Sequence, residues 1–301
     1  MQSGLAHVAK TGIDLAYETF GDRSAVPVLL VMGLGTQLIA WPDELCEDLA
    51  SRGLYAVRFD NRDVGLSTHV RSARAPSPLA VLLGRARPPY TIDDMAADAA
   101  GLLDFLGLDS AHVVGVSMGG FIAQSLALLA PARVRSLTLM MTSTGSRRVG
   151  RPSAHVVWRG LRPRPVPSAA AAVDGVVETF RRIGSPGYPL DERRIRDLAR
   201  RSLERSNDPG GFFRQLSAIL AQPDRTRALR RLDVPTTVVH GLADPLIHVS
   251  GGRALARAIP RARFVGVPGM GHDLPLQVLP LIADEIEAVV RLGEARRERR
   301  P

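Results

Sequence analysis

The chain has 301 residues, 45% of them hydrophobic, and a formal net charge of +9, which is room for one large domain with an insertion. Its longest apolar run near the N-terminus, Val26 to Met32, is far too short to cross a bilayer, and no charged-then-apolar leader opens the chain. The single cysteine, Cys46, excludes an internal disulfide and reads as a small apolar interior side chain, so the expected location is the cytoplasm.

Strands and helices are expected to alternate along the chain. Ile13 to Phe20 reads as an early strand of an antiparallel edge, and Val28 to Met32 as a buried strand. Gly33-Leu34-Gly35-Thr36-Gln37 follows, then a helix from near Pro42, a favoured first helical residue, to Arg52 before Gly53. Tyr55 to Phe59 is a buried strand leading to the loop Asp60–Ser67, in which Asp60 and Arg62 are expected to hold the turn. Thr91 caps a helix whose first turn carries Asp93 and Asp94 and which stops at Gly107.

The apolar run Ala111-His112-Val113-Val114 precedes Gly115-Val116-Ser117-Met118-Gly119, and a helix through Ala130 follows. Strand, G-x-S-x-G turn and helix together predict a sharp turn that presents Ser117 as a nucleophile. A glycine-rich strand-to-helix turn with an incidental serine is the plainer reading, and G-x-S-x-G alone would not decide between them. Val134 to Met141 is the next strand, and the pattern resumes with Val234 to Gly241, the loop Leu242-Ala243-Asp244-Pro245, and Arg263 to Val267. Pro268-Gly269-Met270-Gly271-His272-Asp273 and a final helix close the chain.

A serine hydroxyl needs a general base, and the base needs an orienting carboxylate. Asp244 and His272 follow successive strands, at the end of a parallel sheet where ligands bind. His7 and His69 lie far from any serine-and-acid context, and His112 sits in a strand, where its ring packs or caps. His155 belongs to a proline- and arginine-rich region, His240 is expected to bond locally, and His248 to be a surface residue. His272 alone has small residues before it and a helix after it. Asp273 is the rival acid, but an adjacent residue reaches Nδ1 poorly, and it reads better as the N-cap of the final helix. The N–H groups of Leu34 and Met118 are expected to bind the developing oxyanion. A dinucleotide turn at Gly33 fails because Leu38 stands where G-x-G-x-x-G needs glycine. No Walker motif and no His/Cys cluster with metal-ligand spacing is present, so neither cofactor nor metal is expected.

Met32-Gly33-Leu34-Gly35, Phe59 through Ser67, Gly115 through Gly120, His240-Gly241-Leu242-Ala243-Asp244 and Gly271-His272 together resemble the α/β-hydrolase superfamily. With Trp41-Pro42-Asp43 and Arg58 through Asp63, the chain looks like bacterial carboxylesterases, among them aclacinomycin methylesterases and actinobacterial lipase/thioesterase-like hydrolases. One departure is Met32, where many such relatives have histidine. The resemblance implies an α/β-hydrolase fold: a mostly parallel central sheet flanked by helices, with a helical cap inserted after the strand that follows the nucleophile helix. It implies a serine hydrolase cleaving a small-molecule ester or thioester through an acyl-enzyme, with Ser117 nucleophile, His272 base and Asp244 orienting acid. A carbon–carbon bond hydrolase or perhydrolase on the same triad is the enzymatic alternative, and a non-catalytic binding protein the alternative from another class. Ser117 argues against the epoxide hydrolase and haloalkane dehalogenase branches, which use aspartate.

The expected division is a core of residues 1–145 and 232–301 with a cap of 146–231. The cap holds 19 arginines against 8 acidic residues, a net of +11, whereas the remainder nets −2. It includes the run Arg162-Pro163-Arg164-Pro165-Val166-Pro167 and helices expected at Ala169–Ile183 and Asp191–Arg205. A solvated arginine-rich surface is one reading. The other is a basic lid, with Arg193, Arg194, Arg200 and Arg201 acting as a group on one helix. Such a lid would attract anionic substrates such as phospholipid headgroups at a membrane surface, acyl-CoA or an acidic carrier protein. Few aromatics interleave with the arginines, so nucleic acid is not expected as a partner. Arg296, Arg297, Arg299 and Arg300 form a basic tail expected to be disordered. The oligomeric state has no signature in the sequence.

Overall fold

A computed structural model describes residues 1–71, 80, 87–156 and 168–299. The proline-rich run 162–167 and Arg300 lie outside the described residues. The elements in order are β1 (Gln2–Val8), β2 (Ile13–Phe20), β3 (Val26–Val31), α1 (Asp43–Ser51), β4 (Leu54–Phe59), α2 (Ile92–Phe105), β5 (Ala111–Val116), α3 (Met118–Leu129) and β6 (Val134–Met140). Helices α4 (Ala169–Ile183), α5 (Glu192–Arg205), α6 (Pro209–Ala221) and α7 (Thr226–Leu229) follow. The chain then runs through β7 (Thr236–Gly241), α8 (Ser250–Ala258), β8 (Arg263–Val267) and α9 (Leu279–Glu298).

The eight strands form one sheet in the order β1-β2-β4-β3-β5-β6-β7-β8. Pairs β1/β2 and β2/β4 are antiparallel and every later pair is parallel. Alternate side chains enter two separate cores, as a pleated strand requires. Leu29 and Val31 pack with Leu102, Ile122 and Leu255 on one face. Val28 and Leu30 pack with Leu45, Leu49, Ile282 and Ile286 on the other. Parallel strands covered on both faces read as continuous apolar runs, which is why β3 to β7 stand out in the sequence. Strand β1 does not, because its residues 2–4, 5 and 7 retain solvent access and only Ala6 and Val8 are buried.

Helix ends follow local chemistry. Thr91 Oγ1 accepts from the Asp94 amide at 3.1 Å while Asp94 accepts from the Thr91 amide at 2.8 Å, a reciprocal cap worth about 1 kcal/mol. Helix α9 departs from expectation. It starts at Leu279 after Val278, with no side-chain cap, so Asp273 is not its N-cap. The 3₁₀ turn Leu276–Val278 intervenes. Arg296 is bonded to Asp233 and belongs to α9, which runs to Glu298, so this part of the tail is not disordered.

His112 joins β5 to its neighbours: Nδ1 accepts from Ser136 Oγ at 2.7 Å and Nε2–H donates to Glu294 Oε1 at 3.1 Å. Burial pushes its pKa down to about 4. The folded protein therefore holds His112 neutral where the unfolded chain would protonate it, near ~6.5. Stability from this group is complete above that value and is lost as pH falls from about 6.5 toward 4. In His112→Gln, the slope of unfolding free energy against pH in this window should fall by up to about 1.4 kcal/mol per pH unit. Denaturant titrations at several pH values measure it, and an unchanged slope contradicts the reading.

Candidate active site

The turn after β5 has no room for side chains at either glycine. A Cβ on Gly115 would lie 2.3 Å from the Gly119 carbonyl oxygen, and one on Gly119 would lie 2.0 Å from that of Val31. Between them Ser117 takes φ 55°, ψ −116°, a left-handed conformation costly for an L side chain. Its amide donates to Met140 O at 2.9 Å, which ties the turn to β6. The Ser117 side chain does not cap α3 and is left to meet His272.

Ser117 Oγ lies 3.0 Å from His272 Nε2, and His272 Nδ1 lies 2.7 Å from Asp244 Oδ2. The carboxylate accepts, so Nδ1 carries the proton and Nε2 is left to accept from the serine hydroxyl. The structure thus brings Ser117, His272 and Asp244 into one hydrogen-bonded chain from three separate loops. Asp244 is buried, and its other oxygen accepts from the amides of Leu246 and Ile247 at 2.8 and 2.9 Å. This local turn fixes the carboxylate before the histidine is considered.

His240 lies 3.6 Å from the same carboxylate and does not compete for it. Its Nε2–H donates to Ile247 O at 2.8 Å, Nδ1 has no partner, and burial pushes its pKa down, so it stays neutral. The local bond expected of it is present. His69 is a correction. It is not remote from serine and acid, because Nδ1 meets Asp208 at 2.9 Å and Nε2 lies 3.1 Å from Ser206 Oγ. Asp63, His69 and Asp208 form a trio of possible metal ligands, but the Arg214 guanidinium reaches both Asp63 and Asp208 at 2.7 Å. A cation is already supplied there by the chain itself.

The loop bearing His272 is clamped to the end of α4. The His272 amide donates to Ile183 O at 2.7 Å, Gly271 N–H to Ser185 Oγ at 2.8 Å, and Gly187 N–H to Gly269 O at 2.9 Å. Ser185 Oγ in turn donates to Asp273. Asp273 is therefore bound to the segment between β6 and β7, and burial pushes its carboxyl above the usual range. It lies on the cavity wall without bonding His272 Nδ1.

Leu34 and Met118 line the same cavity as Ser117 and His272. Met118 is the first residue of α3, so its amide has no intrahelical acceptor. The Leu34 amide has no protein acceptor among the described residues. Gly33 packs against the serine, where an added Cβ would lie 3.3 Å from Ser117 Cβ. The cavity measures about 2080 Å³ and is walled by Met32, Phe121, Val176, Phe180, Phe212 and Ile219, among others. That exceeds the ~300–1,000 Å³ of ordinary small-molecule pockets.

The α/β hydrolase fold family matches residues 26–277 of this sequence. The chain belongs to the α/β-hydrolase family. Rhodomycin D methylesterase DauP from Streptomyces sp. (strain C5) is 32% identical over 94% of this chain and 97% of its own length. Rhodomycin D methylesterase DnrP from Streptomyces peucetius is 31% identical over 93% and 95%. Among solved structures, an enol-lactonase from Burkholderia xenovorans LB400 superposes with a TM-score of 0.69 at 24% identity, covering 96% of this chain and 100% of that one. The last likeness speaks for the fold alone. No helix among the described residues is long and apolar enough to cross a membrane.

Sequence reasoning missed helix α6, although Asp208-Pro209 is a legible start: Asp208 Oδ1 accepts from Gly210 N–H at 3.0 Å and Pro209 takes the first helical position. It also missed Gln215 and Arg214, which act on residues some 150 positions away and leave no local signal.

The tightness of the turn gives a measurable asymmetry. Gly53 has positive φ, +77°, with nothing within 4 Å of its would-be Cβ, whereas Gly119 is helical and lacks only room. Gly53→Ala should cost only backbone strain, about 1–2 kcal/mol. Gly119→Ala should cost at least about 3 kcal/mol or prevent folding, since main chain must move. Thermal unfolding of the two variants compares them, and equal losses would contradict the packing described.

Proposed function

We propose that this esterase-type hydrolase cleaves a carboxylic ester or thioester through an acyl-enzyme on Ser117. The observation that carries the reading is the chain from Ser117 Oγ through His272 to Asp244, at 3.0 and 2.7 Å. Oγ attacks the carbonyl carbon as its proton passes to His272 Nε2, and Asp244 stabilises the imidazolium. The carbonyl oxygen takes the negative charge and is met by the N–H groups of Leu34 and Met118. Collapse breaks the bond to the alcohol or thiol, which leaves with the proton from His272. Water then gives a proton to Nε2 and attacks the acyl carbon, releasing the acid and restoring the serine. The division into a core of 1–145 and 232–301 and a cap of 146–231 is part of the same proposal, since helices α4 to α6 supply much of the cavity wall.

A fluorophosphonate probe should label the wild type and not Ser117→Ala; equal labelling contradicts the assignment. Asp244→Asn should lower kcat by about 10³–10⁴-fold with KM within a few-fold, because the tautomer and imidazolium are both disfavoured. Asp273→Asn keeps an acceptor for Ser185 and should leave kcat within about threefold. Steady-state kinetics on a chromogenic ester distinguish them, and a reversed order would make Asp273 the orienting acid.

The positive charge of the inserted segment supports a preference for anionic substrates in a narrower form than expected. Of the six arginines on α5, the four expected to act as a group, Arg193, Arg194, Arg200 and Arg201, differ in their pairing. Arg194 is bidentate to Glu44 at 2.6 and 2.7 Å, and Arg200 meets Asp197 at 2.7 Å. Arg193 and Arg201 remain exposed on the cavity rim without an ion-pair partner among the described residues. Eight residues apart on one helix, they are separated by about 12 Å. An ester or thioester with an apolar body and a remote phosphate or carboxylate, such as an acyl-CoA, an acyl carrier or a phospholipid, matches that layout. In Arg193→Gln/Arg201→Gln, kcat/KM for an anionic ester should fall about fivefold or more at low salt and lose its salt dependence. A neutral ester of the same acyl chain should change less than twofold. Parallel loss for both substrates would assign the arginines to the solvated surface.

A further inference from the structure

The loop that carries Leu34 is held at its ends by the core and in its middle by the inserted helices. Asn61 Nδ2 donates to Met32 O at 3.0 Å, and Leu38 N–H donates to Asp60 Oδ1 at 2.6 Å. Between these ends, Gly35 N–H donates to Gln215 Oε1 of α6 at 2.8 Å. Gln37 Nε2 donates to Ser202 O of α5 at 2.8 Å, and Arg205 Nε donates to Gln37 Oε1 at 2.9 Å. The Gln215 side chain is fully buried, and its Nε2 donates to Arg62 O at 2.7 Å. One amide group therefore bridges the Gly33–Gln37 turn, the Asp60–Ser67 loop and α6. Contact is close: a Cβ on Gly35, which has φ +66°, would lie 2.8 Å from the Phe212 ring.

We propose that Gln215 is a positioning residue for the oxyanion hole, and that the hole is complete only while α6 is docked on the Gly33–Gln37 turn. The proposal rests on the reading of Leu34 N–H as an oxyanion donor. Leu34 immediately precedes the pinned amide. With Gly35 N–H fixed, rotation about the bonds flanking the Leu34 Cα is restrained, and so is the direction of the Leu34 N–H. Without Gln215, the carbonyl of buried Arg62 and the Gly35 amide lose their partners, and the turn gains freedom at the residue whose aim matters. An oxyanion donor acts through preorganisation, so a small loss of aim weakens binding of the tetrahedral state more than binding of the flat ester. The inserted helices then do more than wall the cavity. Their docking arms the hole, and Gln215 is the contact that transmits it.

The test uses the intact enzyme, a trifluoromethyl ketone that adds to the serine to form an oxyanion, and the corresponding secondary alcohol that cannot. Gln215→Met keeps the shape and removes both polar atoms; Gln215→Glu keeps an acceptor for Gly35 N–H. In Gln215→Met, kcat and affinity for the ketone should fall together by 10–100-fold, with KM and affinity for the alcohol within threefold. Gln215→Glu should recover most of the ketone affinity. A purely structural role would lower the melting temperature without this split, so equal loss for ketone and alcohol, or wild-type ketone affinity in Gln215→Met, overturns the proposal. Should Gln215→Met fail to fold, Gln215→Asn, whose amide is withdrawn by one methylene, should give the same split at smaller size, and its absence is equally decisive. A wild-type enzyme that forms no adduct at Ser117 overturns the nucleophile assignment first and the proposal with it, an outcome separable from failure of Gln215 alone.

Discussion

Close backbone approach at the turn between β5 and α3 is the constraint on which the rest of the structure depends. With only 2.0 Å between a would-be Gly119 Cβ and the Val31 carbonyl oxygen, β3, β5 and α3 meet at a point that admits no side chain. At that point Ser117 takes positive φ, just after the C-terminal end of β5. Gly33 packs against the same serine, and Leu34 and Met118 line the cavity it faces. The strain of one residue is offset by the packing of two cores, in which β3 and β5 are central strands.

The other side chains reach that point by independent means. Asp244 is held by its own turn through Leu246 and Ile247. His272 is held by the main chain of the α4 end, through Ile183. The Leu34 turn is held by Gln215 and Gln37 from α6 and α5. Two of the three supports come from the segment between β6 and β7. Buried charge pairs bind that segment to the core: Arg214 with Asp63, and Arg205 with Asp60. Breaking such a pair leaves a buried charge uncompensated and costs about 3–5 kcal/mol, so docking of these helices is specified as well as favoured.

Much of this was legible in the sequence. Parallel strands buried on both faces announce themselves as apolar runs, and the turns after them carry Gly, Ser, Asp and His at fixed places. Ser117, Asp244 and His272 could be named because each lies in a local context that physics restricts. The parts that were not legible act at long range. Gln215 reads as one more polar residue on a helix until Gly35, 180 positions earlier, is seen to donate to it. Asp273 looked like a helix cap because aspartate before an apolar run often is one; its partner is instead Ser185, 88 positions away. His69 was set aside for want of a neighbouring acid that only folding supplies. Strand β1 was overlooked because an edge strand with few buried residues has little hydrophobic pattern to read. Charge counting found the basic segment but not its pairing, which leaves Arg193 and Arg201 as cavity-lining α5 arginines without an ion-pair partner among the described residues.

The central claim is that bond cleavage passes through a covalent ester on Ser117. Acid-quenching the enzyme milliseconds after mixing with an activated aryl ester, then measuring intact and peptide masses, tests it most directly. The account predicts a stoichiometric mass increase equal to the acyl group, confined to the peptide containing Ser117 and decaying as acid product forms. Turnover with no acylated protein at any time, or acylation on another residue that decays at the turnover rate, would contradict it.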